Sequence, residues 1–135
     1  MMVETSAIVA ILLEEPDWQQ FVARIEEAKS ITTCMAVFEA SLSLARHTEL
    51  SPTQAHATVV ALTERLNIKV MALIPAMVAL AAEAREKFGA GRHGLNMGDC
   101  LSYGAAKYCG APLLYKGDDF SRTDVNDRFA SHPKA

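Results

Sequence analysis

The chain has 135 residues, of which 50% are apolar and 21% charged, with a net charge of −3. That length fits one domain whose core needs neither disulfides nor a structural metal. The acidic balance argues against a protein that coats nucleic acid by neutralising phosphates, but not against an enzyme that borrows positive charge from bound cations. Three cysteines, Cys34, Cys100 and Cys109, have no paired spacing and read as small buried hydrophobes of a reducing compartment. No basic leader precedes Glu4, and the apolar run from Val70 to Ala82 contains Pro75 and falls short of the ~18 residues of a membrane span. The expectation is a cytoplasmic protein without a membrane segment. A single domain spans residues 1–135, with 127–135 expected as a mobile tail.

The first element is a very short strand, Met2 to Glu4, followed by an apolar helix from Ala7 to Leu13 that Thr5 or Ser6 can cap. Pro16 and Asp17 start a second helix, in which Trp18, Phe21, Val22 and Ile25 follow helical spacing. Ile31, Thr32 and Thr33 favour a strand, and the chain turns helical again near Met35. Ser51, Pro52 and Gln54 mark a strong helix start: a cap, a first-turn proline and a capping-box partner. Ala55, Thr58, Val59, Leu62 and Leu66 form the expected buried stripe of that helix, and Asn67 its stop. Ile68 to Leu73 reads as a strand. A helix from Pro75 to Phe88 follows, with Met77, Val78, Ala81 and Phe88 facing inward, and Gly89 ends it. Asn96 caps the next helix, with Asp99 three residues on. Ala111 to Tyr115 is the last strand, followed by Lys116, Gly117, Asp118 and Asp119.

Strands separated by helices favour parallel pairing with right-handed crossovers, which gives a doubly wound α/β fold. Ligands of such open sheets bind beyond the C-terminal ends of the strands. Glu4 ends the first strand, Asp118 and Asp119 follow the last, Glu39 lies on the helix after the second, and Asp99 lies near a helix N-terminus. All can reach one edge of the sheet. Glu39 also stands in an apolar setting, among Val37, Phe38, Ala40 and Leu42. Gathered carboxylates repel one another, and a divalent cation relieves the repulsion. Oxygen donors without His or Cys suit magnesium, with manganese as a substitute, rather than zinc. The matching chemistry is phosphoryl displacement by a metal-activated water. Taken singly, each acid has a plainer reading: Asp99 as a helix N-terminal charge, Glu39 as a solvated residue, Asp118 and Asp119 as turn residues.

Four segments add to this reading: V-E-T-S-A-I-V-A-I-L at 3–12, F-E-A at 38–40, R-H-G-L-N-M-G-D-C at 92–100, and L-L-Y-K-G-D-D-F-S-R-T-D-V at 113–125. In this order they resemble a PIN-domain ribonuclease of the VapC toxin type. The resemblance implies a three-layer PIN-like fold with a short parallel sheet of four to five strands flanked by helices. It implies metal-ligand roles for Glu4, Asp99 and Asp119, with Glu39 completing the catalytic cluster. Asp119 matches the acid of the terminal G-x-D-F pattern and is preferred to Asp118. Asp124 and Ser6 are secondary candidates, Ser6 through a hydroxyl that orients a carboxylate. An RNA substrate, a VapB-like antitoxin and a homodimer are implied on the same grounds. The family usually carries Asp where this chain has Glu4, so the longer side chain must fold back or the metal must shift.

Arg85, Arg92 and His93 are candidates for phosphate contact, against the plainer reading of a solvated loop. His47, His56 and His132 lack ligand spacing. Lys116 reads as a surface lysine, Tyr103 and Tyr108 as partial core, and Trp18 as a packing anchor. Two other classes of function compete: a catalytically weakened PIN-fold binding module, and a receiver-like phosphoacceptor domain. The second needs an acid at the end of a middle strand, and the expected strand at 68–73 is followed by Ile74 and Pro75.

Overall fold

The computed structural model describes residues 1–91 and 94–125. Strands β1 (Met2–Val3), β2 (Ile31–Thr33), β3 (Lys69–Met71) and β4 (Leu113–Leu114) form one parallel sheet in the order β3-β2-β1-β4. The chain winds from β1 outward through β2 to β3, then returns to place β4 on the other side of β1. The change of direction opens a crevice beyond the C-terminal ends of β1 and β4. Among the described residues, six helices cover the sheet: α1 (Thr5–Leu12), α2 (Trp18–Glu26), α3 (Cys34–Arg46), α4 (Pro52–Arg65), α5 (Pro75–Phe88) and α6 (Met97–Cys109).

Alternation along the strands divides the core in two. Val3 and Leu114 face a cluster with Ile8, Phe21, Val37 and Val59, built on α1 to α4. Met2 and Leu113 face the opposite cluster with Met77, Leu95, Tyr103 and Phe120, built on α5, α6 and the C-terminal turns. The result is a helix–sheet–helix sandwich. On its second face α5 and α6 pack so closely that a Cβ at Gly104 would lie 2.3 Å from the Met77 carbonyl oxygen.

Sequence and structure agree best where a cap has a specific donor and acceptor. The Ser51–Gln54 capping box forms reciprocally, as does that of Asn96 and Asp99. Asn67 takes a positive φ of 55° just after α4, where a short polar side chain tolerates the left-handed conformation.

Several expectations need correction. Neither Thr5 nor Ser6 caps α1; Glu4 does, by accepting the Ser6 N–H at its side chain. The strands are shorter than expected: β1 and β2 lead at once into α1 and α3, and β3 and β4 keep only Lys69–Met71 and Leu113–Leu114. Thr58 and Val78 are exposed, and Leu66 and Phe88 only half-buried. In α4 and α5 the buried faces instead include the neighbouring Thr63 and Ala84. Cys34 is exposed on the first turn of α3, whereas Cys100 is buried and Cys109 intermediate. Tyr103 is core, but Tyr108 is half exposed. The expected tail at 127–135, with His132, lies outside the described residues, as do Arg92 and His93.

A candidate acidic site at the sheet edge

Glu4 leaves the end of β1 into the crevice. Its backbone N–H donates to Leu114 O at 3.0 Å, which ties its position to β4. Its side chain is buried and turns back on the start of α1, where the Ser6 N–H donates to Oε1 at 3.0 Å and the Ser6 hydroxyl donates to the same oxygen. The longer glutamate side chain has therefore folded back. The Ser6 hydroxyl in turn accepts the Lys116 N–H at 2.8 Å, so the residue after β4 helps to orient the acid after β1. Lys116 is itself anchored, because its ammonium donates to Glu15 at 2.8 Å and Asp17 at 2.9 Å.

Glu39 enters from α3. The Thr5 hydroxyl donates to its Oε1 at 2.8 Å, and its carboxylate lies against Gly98, where a Cβ would stand 2.1 Å from Oε2. Asp99 sits on the first turn of α6, with one oxygen accepting the Asn96 N–H at 3.1 Å. Glu4, Glu39 and Asp99 thus line one cleft of about 470 Å³, together with Ser6, Asn96 and Arg46. Asp118 and Asp119 line the adjoining cavity of about 440 Å³. The two cavities meet electrically, because Asp119 is close enough to Asp99 to raise its pKa.

Burial pushes the Glu4 carboxyl up to about 7, against the Ser6 hydrogen bonds and with help from the charges of Asp99 and Glu39. Burial likewise pushes Asp99 up to about 6, opposed by the Asn96 N–H and aided by Asp119 and Glu39. The fold therefore holds more protons at this site than the unfolded chain does between about pH 4 and 7. For a carboxyl raised on folding, the stabilising contribution is complete below the unfolded pKa and is lost as pH rises through the folded one. In the presence of a chelator, the melting temperature is expected to peak near pH 5 and to fall by pH 8. A melting temperature that stays flat across that range in scanning calorimetry would contradict this.

Asp124 does not reach the cleft. The Tyr103 hydroxyl donates to it at 2.7 Å and the Lys107 ammonium at 2.6 Å. The Lys107 hydrogen bond, then that of Tyr103, holds its carboxyl below the usual range. Its place is a clasp between α6 and the C-terminal turns. Arg85 donates to the Leu95 carbonyl at 2.7 Å and so secures the approach to α6. His47 bonds the Ser43 carbonyl through Nδ1 at 2.8 Å.

Sequence reasoning missed Thr5, Gly98 and the Lys116 anchor. A glycine in the first turn of a helix was a signal of close approach. Nothing local indicated that Thr5 serves a residue on α3, since that pairing spans 34 positions.

The four acids do not converge on one point. Among the described residues, no three His, Cys, Asp or Glu side chains stand close enough to hold an ion together. Each acid of the main cleft has a local donor: Ser6 for Glu4, Thr5 for Glu39, Asn96 for Asp99. These bonds occupy one oxygen of each carboxylate. The donor set itself is all oxygen, which matches a hard divalent cation.

This architecture agrees with comparisons to known proteins. The sequence profile of the PIN domain family matches residues 1–126. Ribonuclease VapC30 of Mycobacterium tuberculosis is 36% identical over 129 residues, covering 93% of this chain and 95% of that protein. Ribonuclease VapC of Mycolicibacterium smegmatis is 33% identical, covering 93% and 97%. The crystal structure of VapC20 of Mycobacterium tuberculosis, described as a sarcin–ricin loop cleaving toxin, superposes with a TM-score of 0.69. At 16% identity over 89% of this chain and 92% of that one, it bears on the fold. The chain belongs to the PIN-domain family, in the group of VapC ribonucleases.

Proposed function

We propose that the protein is a magnesium-dependent endoribonuclease, the toxin of a type II toxin–antitoxin system. Glu4, Glu39, Asp99 and Asp119 serve as its catalytic carboxylates. The observation that carries this reading is the gathering of Glu4, Glu39 and Asp99 in one cleft, with carboxyls pushed up to about 7 and 6 in Glu4 and Asp99. Mutual repulsion between buried acids is a cost that a cation removes.

Glu4, Asp99 and Asp119 are the residues we assign to magnesium, or manganese in its place, and they would have to draw closer around the ion than they stand here. When bound, such an ion lowers the pKa of a coordinated water and offsets phosphate charge. The chain's own part is to fix the carboxylates. Ser6 orients Glu4, Thr5 and Gly98 set Glu39, and the α6 capping box sets Asp99. In hydrolysis the water oxygen bonds to phosphorus in line and gives up a proton, the bond from phosphorus to the leaving ribose oxygen breaks, and that oxygen takes up a proton. Asp118 remains the alternative to Asp119 as the acid after β4.

A VapB-like antitoxin and a second copy of the chain are the proposed protein partners, in the cytoplasm. An apolar groove of about 630 Å³ between α5 and α6, with Val78 51% and Met97 79% exposed, supports a protein-binding face. Among the described residues, no helix is long and apolar enough to cross a membrane.

The test is cleavage of single-stranded RNA by purified protein. EDTA is expected to abolish cleavage, and excess magnesium or manganese to restore it. Cleavage that persists in EDTA would overturn the metal-dependent reading.

A further inference from the structure

An acidic cleft in a chain of net charge −3 poses a problem for any polyanionic substrate. The acids attract a cation but repel the phosphates on either side of the one being cut. Positive side chains beside the centre must offset that repulsion, and their positions define a track.

Lys116 is poorly suited to this task. It lines the main cleft, but its ammonium is neutralised by Glu15 and Asp17. Arg46 lines the same cleft, two helical turns beyond Glu39 on α3, with Leu42 and Ser43 between them on the same face. Seven residues of helix set these backbones roughly 10 Å apart, farther than adjacent ligands of one ion. In the other cavity, Lys87 and Arg122 stand with Asp118 and Asp119. Among the described residues no ion pair engages Arg46, Lys87 or Arg122. Each of the two cavities thus sets its acids beside cations that no ion pair engages.

We propose that single-stranded RNA lies across the acidic centre, with phosphates on one side of the cut held by Arg46 and those on the other side by Lys87 and Arg122. This rests on the nuclease reading above and adds the substrate's path to it. A plainer role exists for two of the three: Arg46 and Lys87 sit in the last turns of α3 and α5, where a cation favours the helix dipole. That role does not extend to Arg122, which lies outside any helix. It predicts a change in stability and none in substrate affinity.

The test uses the full chain with magnesium and a short single-stranded oligoribonucleotide whose cut has been mapped with wild type. Arg46→Ala, and Lys87→Ala with Arg122→Ala, are each expected to lower kcat/KM about fivefold, mostly through KM, at moderate salt. The slope of log kcat/KM against log salt is expected to shrink by about 0.7 per cation removed. Arg46→Lys should recover most of the loss. Uncharged methylphosphonate linkages on one flank of the cut should cancel the Arg46 effect, and on the other flank that of Lys87 and Arg122. Variants with wild-type KM, with or without a lowered melting temperature, would overturn the track, as would both effects vanishing on the same flank. A wild type that neither cuts nor binds RNA would overturn the nuclease reading along with it.

Discussion

Asp99→Asn is expected to reduce RNA cleavage about a thousandfold, on the order of 4 kcal/mol of transition-state stabilisation. Asp99 lines the main cleft and feels the charges of both Asp119, from the second cavity, and Glu39. Replacing its carboxylate with an amide removes an anionic donor without changing the shape of the side chain. The fold should survive, because an Asn side-chain oxygen can still accept the Asn96 N–H that closes the capping box. Stability without metal should rise slightly, since a buried charge repelled by its neighbours has gone. The measurement pairs single-turnover cleavage with thermal unfolding in chelator. Wild-type cleavage by Asp99→Asn would remove the acid from the mechanism. A grossly unfolded variant would show that its capping role outweighs its chemistry.

Gly98→Ala should separate function from fold in a different way. The added Cβ would fall 2.1 Å from Glu39 Oε2, 2.8 Å from its Cδ and 2.9 Å from Oε1, so Glu39 must move. The carboxylate is the end of a flexible side chain on a half-buried residue, and it can swing away. Doing so breaks its bond from the Thr5 hydroxyl. The helical gain of alanine over glycine, up to about 1 kcal/mol, offsets part of this cost, so net stability should change by no more than about 1 kcal/mol. Activity should fall about a hundredfold, the usual consequence of displacing a catalytic group by about an ångström. Equal cleavage by wild type and Gly98→Ala would show that the position of Glu39 does not matter to the reaction.

Both predictions depend on side chains whose partners are distant in sequence. The sequence was informative where the governing interaction is local. The capping boxes at Ser51 and Asn96, the proline at the start of α5 and the left-handed stop at Asn67 each involve residues a few positions apart, and each forms as expected. The alternation of short strands and helices was enough to expect the acids at one sheet edge; the structure puts Glu4, Glu39 and Asp99 in one cleft and Asp118 and Asp119 in another. The motif resemblance gave a preference for Asp119 over its neighbour Asp118, and it named the family to which the chain belongs.

Sequence alone was less reliable where a helix face had to be chosen among many small apolar residues. In α5, Ala84 is buried and Val78 exposed, because α6 packs at Gly104 on the face that carries Met77 and Ala81. It also erred where a side chain had two local options, as at the start of α1. There Glu4 itself became the cap, since a buried carboxylate needs donors more than a half-exposed hydroxyl does.

Composition, periodicity and motif order thus determined the fold class and pointed to the set of acids. Tertiary structure decided how those acids stand: Glu4 bent onto Ser6, Glu39 seated on Gly98, Asp124 drawn away to Lys107 and Tyr103. The physical reason is range. Caps and helical stripes are settled within one or two turns, whereas the orientation of a buried charge depends on donors and repelling charges that only the folded chain brings together.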